Sequence, residues 1–159
     1  MMPSSMLLYF AYGSNMDPEQ MKQRAPGARA LGPARLDDFS LSFSVYSSRW
    51  EGGAANLELD PEGHVWGVLW EIPDEAAGEL DAYQGHPVFF RREEVSVTGP
   101  EGRTLAWTYR VAHQEGTYVR PTDRYLHCIR SGIRVHGLPP EALDTLDRAA
   151  RPPKPTIST

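Results

Sequence analysis

A chain of 159 residues suits one domain around one hydrophobic core, and its 40% apolar and 23% charged content is ordinary for a soluble globular protein. A formal net charge of -5 and a pI near 5.5 argue against nucleic acid or an anionic membrane as the main partner. No stretch approaches the ~20 apolar residues of a membrane span. The segment Met1-Met2-Pro3-Ser4-Ser5 has none of the basic character of a signal peptide, and the single cysteine, Cys128, excludes an internal disulfide and fits a reducing cytosol. A cytoplasmic location is the expectation.

The apolar run Leu7-Leu8-Tyr9-Phe10-Ala11 reads as a strand that ends at Tyr12-Gly13-Ser14-Asn15, with a short helix over residues 17 to 25 stopped by Pro26-Gly27. A strand running through a glycine turn into a helix directs several backbone N–H groups toward one point, which attracts an anion. The turn has no lysine and no second glycine, so it is not a P-loop, and a carboxylate fits it better than a polyphosphate. Taken alone, the ordinary reading of such a turn is a tight strand-to-helix connection.

Residues 39–46, Phe39-Ser40-Leu41-Ser42-Phe43-Ser44-Val45-Tyr46, alternate apolar and polar, the period of a strand with one face buried. After Gly52-Gly53, residues 54–59 alternate in the same way. Asp60-Pro61-Glu62-Gly63 has the composition of a turn, so 54–59 and 64–72 are expected to form a hairpin, and Gly67 within the second strand marks a bulge or a close backbone approach. Pro73-Asp74 opens a helix with Asp74 as its cap and with Ala76, Leu80 and Tyr83 on one face, ended by Gln84-Gly85-His86-Pro87.

Two further strands, 91–98 and 104–111, are joined by the turn Gly99-Pro100-Glu101-Gly102. Thr122 caps a helix carrying Tyr125, Cys128 and Ile129, with Gly132 as its expected stop, and Leu138-Pro139-Pro140-Glu141 starts a last helix with Leu143 and Leu146 inward. The tail from Arg151 to Thr159 is proline-rich and is expected to be disordered, leaving one domain over residues 1–150. Strands outnumber helices and are joined mostly by turns. The fold class is therefore α+β, around a largely antiparallel or mixed sheet that could curl into a barrel.

The five histidines, His64, His86, His113, His127 and His136, show no metal-ligand spacing and there is no cysteine cluster, so no metal is expected. Each reads as a surface or capping residue, and Cys128 as a small core residue. Ser14 lies in no G-x-S-x-G elbow, which speaks against a hydrolase nucleophile.

Four blocks in this order resemble the γ-glutamylcyclotransferase family: Tyr9-Phe10-Ala11-Tyr12-Gly13-Ser14-Asn15; Gly52-Gly53-Ala54-Ala55-Asn56 through Trp66-Gly67-Val68-Leu69-Trp70; Leu80-Asp81-Ala82-Tyr83-Gln84-Gly85; and Tyr125-Leu126-His127-Cys128-Ile129-Arg130-Ser131-Gly132 with His136-Gly137-Leu138-Pro139. The last block is similar to the branch that includes the animal enzymes. The resemblance spans about Leu7 to Leu146. It implies a small mixed, mostly antiparallel barrel flanked by short helices, with a pocket for a γ-glutamyl amine or γ-glutamyl amino acid that is converted into 5-oxoproline and the released amine, without cofactor or metal. It also implies that Tyr9, Phe10, Ala11, Tyr12, Gly13, Ser14 and Asn15 line the γ-glutamyl pocket, that Tyr125 contributes a hydroxyl, and that the leaving group points toward the loops 46–51 and 86–90.

One position departs from the family pattern. The family's catalytic glutamate precedes the glycine of L-D-x-x-E-G, and Gln84 stands there. An amide cannot act as acid or base near neutral pH, and loss of general acid–base catalysis costs about 10²- to 10⁴-fold in rate. Three readings follow: a glutamine placed to trap substrate, a natural γ-glutamyl binding protein without turnover, or transfer of the role to another carboxylate such as Glu71, Glu93 or Glu94. An interaction domain that uses the barrel as a scaffold predicts no small-molecule binding, and the intact turn with Tyr125 counts against it.

Overall fold

A computed structural model describes residues 6–84, 90–111 and 117–153. Five strands, β1 (Met6–Ala11), β2 (Arg29–Ser47), β3 (Gly52–Pro73), β4 (Arg91–Gly99) and β5 (Gly102–Arg110), form a closed barrel in the order β1-β3-β2-β4-β5. All neighbours are antiparallel except β1 and β5, which meet in parallel at Tyr9 opposite Trp107. The expected class and barrel are thus those of the molecule, with β1 inside the sheet. Phe10, Ala11, Leu57, Val68 and Ile72 are fully buried.

The expected hairpin at Asp60-Pro61-Glu62-Gly63 does not form. Residues 54–59 and 64–72 are two collinear halves of β3, and both pair with β2: the register passes from Phe39 opposite Leu59 to Asp37 opposite His64. The turn-like tetrapeptide bulges out instead, opposite Asp38, which takes φ 71°. Asp60 accepts from the Glu62 amide at 3.1 Å, and a Cβ on Gly63 would come within 2.5 Å of the Phe39 carbonyl oxygen. The local turn chemistry is real; the long partner strand decides that the chain does not reverse there. The actual β2–β3 reversal lies at residues 48–51, where Glu51 takes φ 57°.

The first half of β2, residues 29–38, extends the expected strand 39–46 toward the N-terminus and carries Gly32-Pro33. A bulge lies there within the strand, between Ala30 and Gly32, with Gly32 at φ 132°. Gly67 is a close approach, as expected: a Cβ there would lie 2.3 Å from the Ala11 carbonyl oxygen and 2.7 Å from the Phe10 ring.

Four helices cover the barrel: α1 (Pro18–Arg24), α2 (Asp74–Gln84), α3 (Asp123–Val135) and α4 (Pro140–Ala150). Proline at the first helical position starts α1, where a missing N–H costs nothing. Thr122 caps α3, accepting from the Tyr125 amide at 3.3 Å. Gly132 is not its stop. It is the point where α3 packs on the turn of 3-10 helix at Ser14–Met16, since a Cβ would lie 2.5 Å from Met16 Cβ. The stop is Gly137, at φ 68°, with Leu138 N–H bonded to the Ile133 carbonyl at 3.0 Å and Gly137 N–H to that of Arg134 at 3.2 Å, the paired bonds of a Schellman motif. Leu146 is buried under α4, with Leu143 partly buried beside it. Most of the expected tail, residues 154–159, lies outside the described residues, as do His86, His113 and the 85–89 segment.

Candidate active site

At the end of β1 a cavity of about 100 Å³ opens between the barrel, the C-terminal end of α2 and the start of α3. Tyr9, Tyr12, Gly13, Ser14, Asn15, Gln84 and Tyr125, all expected site residues, line it together. Phe10 and Ala11 do not: both are fully buried in the barrel core, Phe10 packed across Gly67. Within β1, alternation sends neighbouring side chains to opposite faces, so Tyr9 and Phe10 cannot both face the cavity.

The turn is shaped by its neighbours. A Cβ on Gly13 would sit 3.2 Å from the Tyr125 hydroxyl and 3.5 Å from Ala55 Cβ, so glycine lets three segments converge. The Tyr125 hydroxyl accepts from the Ala55 amide at 2.9 Å, and its ring lies 4.9 Å from that of Trp50. Gly53 allows a still closer approach: its N–H donates to the Arg120 carbonyl at 2.8 Å, and a Cβ would be 2.0 Å from the Val119 oxygen. Gly52-Gly53 therefore lets the segment leading into α3 lie directly on β3, which places Tyr125 beside the turn.

Polar capacity in the cavity is unevenly used. The Tyr12 hydroxyl donates to the Tyr109 carbonyl at 2.6 Å, and Asn15 Nδ2 donates to the Tyr9 hydroxyl at 3.1 Å. Asn15 Oδ1, although buried, meets no donor, and the Gly13 and Ser14 amides meet no acceptor among the described residues. A buried polar atom is rarely left so, and Asn15 Oδ1 beside the open Gly13 and Ser14 amides makes the cavity receptive to a ligand with both donors and acceptors.

Burial pushes the Tyr9, Tyr12 and Tyr125 hydroxyls well above their ordinary range. Tyr109 is pushed up as well, by burial and by the Asp81 carboxylate to which it donates. All four stay neutral at physiological pH, suited to hydrogen bonding and not to taking a proton. Gln84 and Arg49 are also part of the polar wall, and no aspartate or glutamate lines the cavity among the described residues. Glu71 is engaged with Arg29 at 3.0 Å, Glu93 with Arg110 at 3.0 Å, and Glu94 is exposed; none of the three reaches the cavity. The carboxylate closest in connectivity is Asp81, behind Tyr109 and paired with Arg92 at 2.6 Å. No group of three His, Cys, Asp or Glu residues that could hold a metal occurs among the described residues.

Sequence reasoning missed Arg49, Trp50, Tyr83 and Tyr109 as lining residues. Only the expectation that the 46–51 loop faces the leaving group pointed toward the first two. Tyr109 carries no motif; barrel closure brings it beside Tyr9, with ring centroids 5.6 Å apart.

Comparison with known proteins agrees with this fold. Residues 9–127 match the family described as gamma-glutamyl cyclotransferase, AIG2-like. The chain is 35% identical over 140 residues to the gamma-glutamylcyclotransferase of Bos taurus, covering 84% of this chain and 73% of that protein. It is 34% identical over 145 residues to that of Homo sapiens, covering 87% and 76%. A solved gamma-glutamyl cyclotransferase structure superposes with a TM-score of 0.83 at 32% identity, covering 97% of this chain and 93% of that one. YkqA from Bacillus subtilis superposes at 0.79 with 25% identity, over 92% of this chain and 54% of that protein. With the family model matched over residues 9–127 and the fold shared with a solved member, the chain belongs to the γ-glutamylcyclotransferase family.

Proposed function

We propose that the cavity holds the γ-glutamyl group of a γ-glutamyl amino acid or amine, folded so that its α-amine attacks its own γ-carbonyl. The ring C–N bond forms, the original amide C–N bond breaks, and 5-oxoproline and an amine leave. The observation that carries this reading is the unpaired Asn15 Oδ1 beside the uncommitted Gly13 and Ser14 amides: an acceptor for the ammonium next to donors for the carboxylate. Holding both ends fixes the folded-back geometry and removes much of the entropic barrier.

The reaction also requires the ammonium to lose a proton and the leaving nitrogen to gain one, a task for one group of suitable pKa. Gln84 occupies the rim of the cavity with the right shape and no titratable proton. The chain as it stands therefore binds better than it turns over. A glutamate at that position, half-buried at the end of α2, would supply the titratable group that the amide lacks. Single-turnover release of amine should rise about 10²- to 10⁴-fold in Gln84→Glu, with little change in affinity. Equal rates would move the proton transfer to another residue.

A second reading, a γ-glutamyl binding protein without turnover, is favoured by the absence of any carboxylate among the described lining residues. It predicts that the unaltered and the Gln84→Glu chains are both inert yet bind γ-linked dipeptides. Calorimetry with γ-glutamyl dipeptides against their α-linked isomers tests what both readings share: equal affinity for the two isomers, or none for either, overturns both.

A further inference from the structure

Gln84 lines the cavity and is also the last residue of α2. Helix ends fray unless something outside the helix holds them. The buried side chains of α2, Ala76, Ala77 and Leu80, all precede its last four residues, so the packing that seats the helix stops short of position 84. Polar contacts hold the rest. Tyr83 lies under the guanidinium groups of Arg24 and Arg49, at 3.8 and 4.2 Å from its ring centroid. Asp81, three residues before Gln84 and so on the same side of the helix, ties that end to the barrel.

Asp81 Oδ1 accepts from two strands at once. Tyr109 of β5 donates its hydroxyl, and Arg92 of β4 donates through Nε at 2.6 Å. Arg92 Nη2 lies 3.5 Å from the Ala77 carbonyl oxygen, and its guanidinium rests 4.6 Å from the centroid of Trp107, next to Tyr109 on the same face of β5. Side-chain exposures of 22% for Asp81 and 31% for Arg92 put this charge-assisted pair largely out of water, where such a bond is short and directional. Tyr109 lines the cavity and Asp81 does not. Two walls of the site, the end of α2 and β5, are therefore joined through one carboxylate that stands behind them.

We infer that Asp81 is a positioning residue, which sets the side chain at position 84 against the Tyr109 wall and so against the bound γ-glutamyl group. The inference rests on the proposed function, in which position 84 is where the proton is moved. Asp81 touches no substrate and moves no proton. Its effect falls on rate, since a misplacement of about 1 Å can cost about 10²-fold. Affinity depends on it little: Asn15 Oδ1 and the Gly13 and Ser14 amides belong to the turn after β1 and not to α2.

The test uses the full chain carrying Gln84→Glu, alone and with Asp81→Asn, Tyr109→Phe or both, and γ-glutamylalanine as the probe. Asp81→Asn keeps the shape and removes the charge that holds Arg92; Tyr109→Phe removes the hydroxyl from the other side. Single-turnover release of alanine should fall about tenfold in each. The two changes together should cost no more than either alone, because they cut one connection. In calorimetry the dissociation constant of Asp81→Asn should move less than twofold, at full binding stoichiometry, and its pH–rate profile should keep its shape. An unchanged rate in Asp81→Asn, losses that multiply in the double variant, or a loss of rate matched by a loss of affinity or stoichiometry overturns the inference and leaves the proposed function standing. A pH–rate profile that loses a limb makes Asp81 an acid or base and overturns the positioning role. Gln84→Glu that binds γ-glutamylalanine without turning it over overturns the inference together with the proton-transfer part of the proposed function.

Discussion

The β2–β3 ribbon and the β1–β5 seam close the same barrel by different means. The ribbon is a backbone ladder that runs from Arg29 opposite Glu71 to Ser47 opposite Gly52, with apolar pairs such as Leu36 and Val65 along it. At the seam the parallel pairing comes down to Tyr9 opposite Trp107, and side chains supply the rest. Thr108, fully buried, donates its hydroxyl to the Phe10 carbonyl at 2.8 Å, and Tyr12 donates to the Tyr109 carbonyl at 2.6 Å. The cavity opens at the seam's end. Along the ribbon the backbone polar groups are taken up by the ladder; where strands part, hydroxyls hold the edges, and Asn15 Oδ1 faces inward uncommitted.

The largest expected effect on stability comes from tightening the ribbon side. Gly67→Ala places a methyl group 2.3 Å from the Ala11 carbonyl oxygen, so backbone must move, at about 2–3 kcal/mol by urea unfolding. Unchanged stability would mean that β1 does not press on Gly67 of the ribbon as closely as 2.3 Å implies. At the seam, Thr108→Val keeps the shape and removes the hydroxyl, orphaning the buried Phe10 carbonyl, and should cost about 1–2 kcal/mol in the same measurement. A loss well below that would assign seam closure to packing instead of hydrogen bonds.

Tyr125→Phe sharpens the comparison at the cavity itself. It removes the acceptor of the Ala55 amide, so both stability and affinity for a γ-glutamyl dipeptide should fall, each by roughly 0.5–1.5 kcal/mol. If stability alone falls, the Tyr125 hydroxyl serves the fold and not the ligand.

The smallest expected effect is pH-dependent and lies on the helix side of the site. His136 Nε2 bonds to the Met16 carbonyl at 2.9 Å, and burial holds its pKa below the ordinary 6.5 despite that bond. The unfolded chain thus binds the extra proton more readily, so this contribution to stability is whole above pH 6.5 and declines as the pH falls below it toward the folded value. Chemical denaturation across this range should show the decline, and His136→Gln, which can still donate to Met16, should flatten it.

Much of the molecule is determined locally and can be read from residue order. The Y-G-S-N turn, the Thr122 cap and the 91–98 and 104–111 hairpin each depend on a few adjacent residues with a definite backbone preference. The class follows too, because many short strands linked by turns leave few ways to bury their faces. Gln84 is legible in the same way, as a single letter in a local pattern.

Other features were decided only when distant segments met. Asp60-Pro61-Glu62-Gly63 has every mark of a reversal, yet it bulges, because both flanking halves of β3 find partners along one β2 strand. Gly132 resembles a helix stop, but Met16 packs against it and the helix runs on to Val135. Tyr109 joins the cavity through barrel closure, and nothing in its own neighbourhood announces it, whereas Arg49 and Trp50 come from the β2–β3 reversal that the family resemblance had already turned toward the leaving group. Turn and cap preferences involve a few neighbouring residues and about 1 kcal/mol each, whereas strand register and cavity walls are set by burial summed over whole elements, and the larger sum prevails.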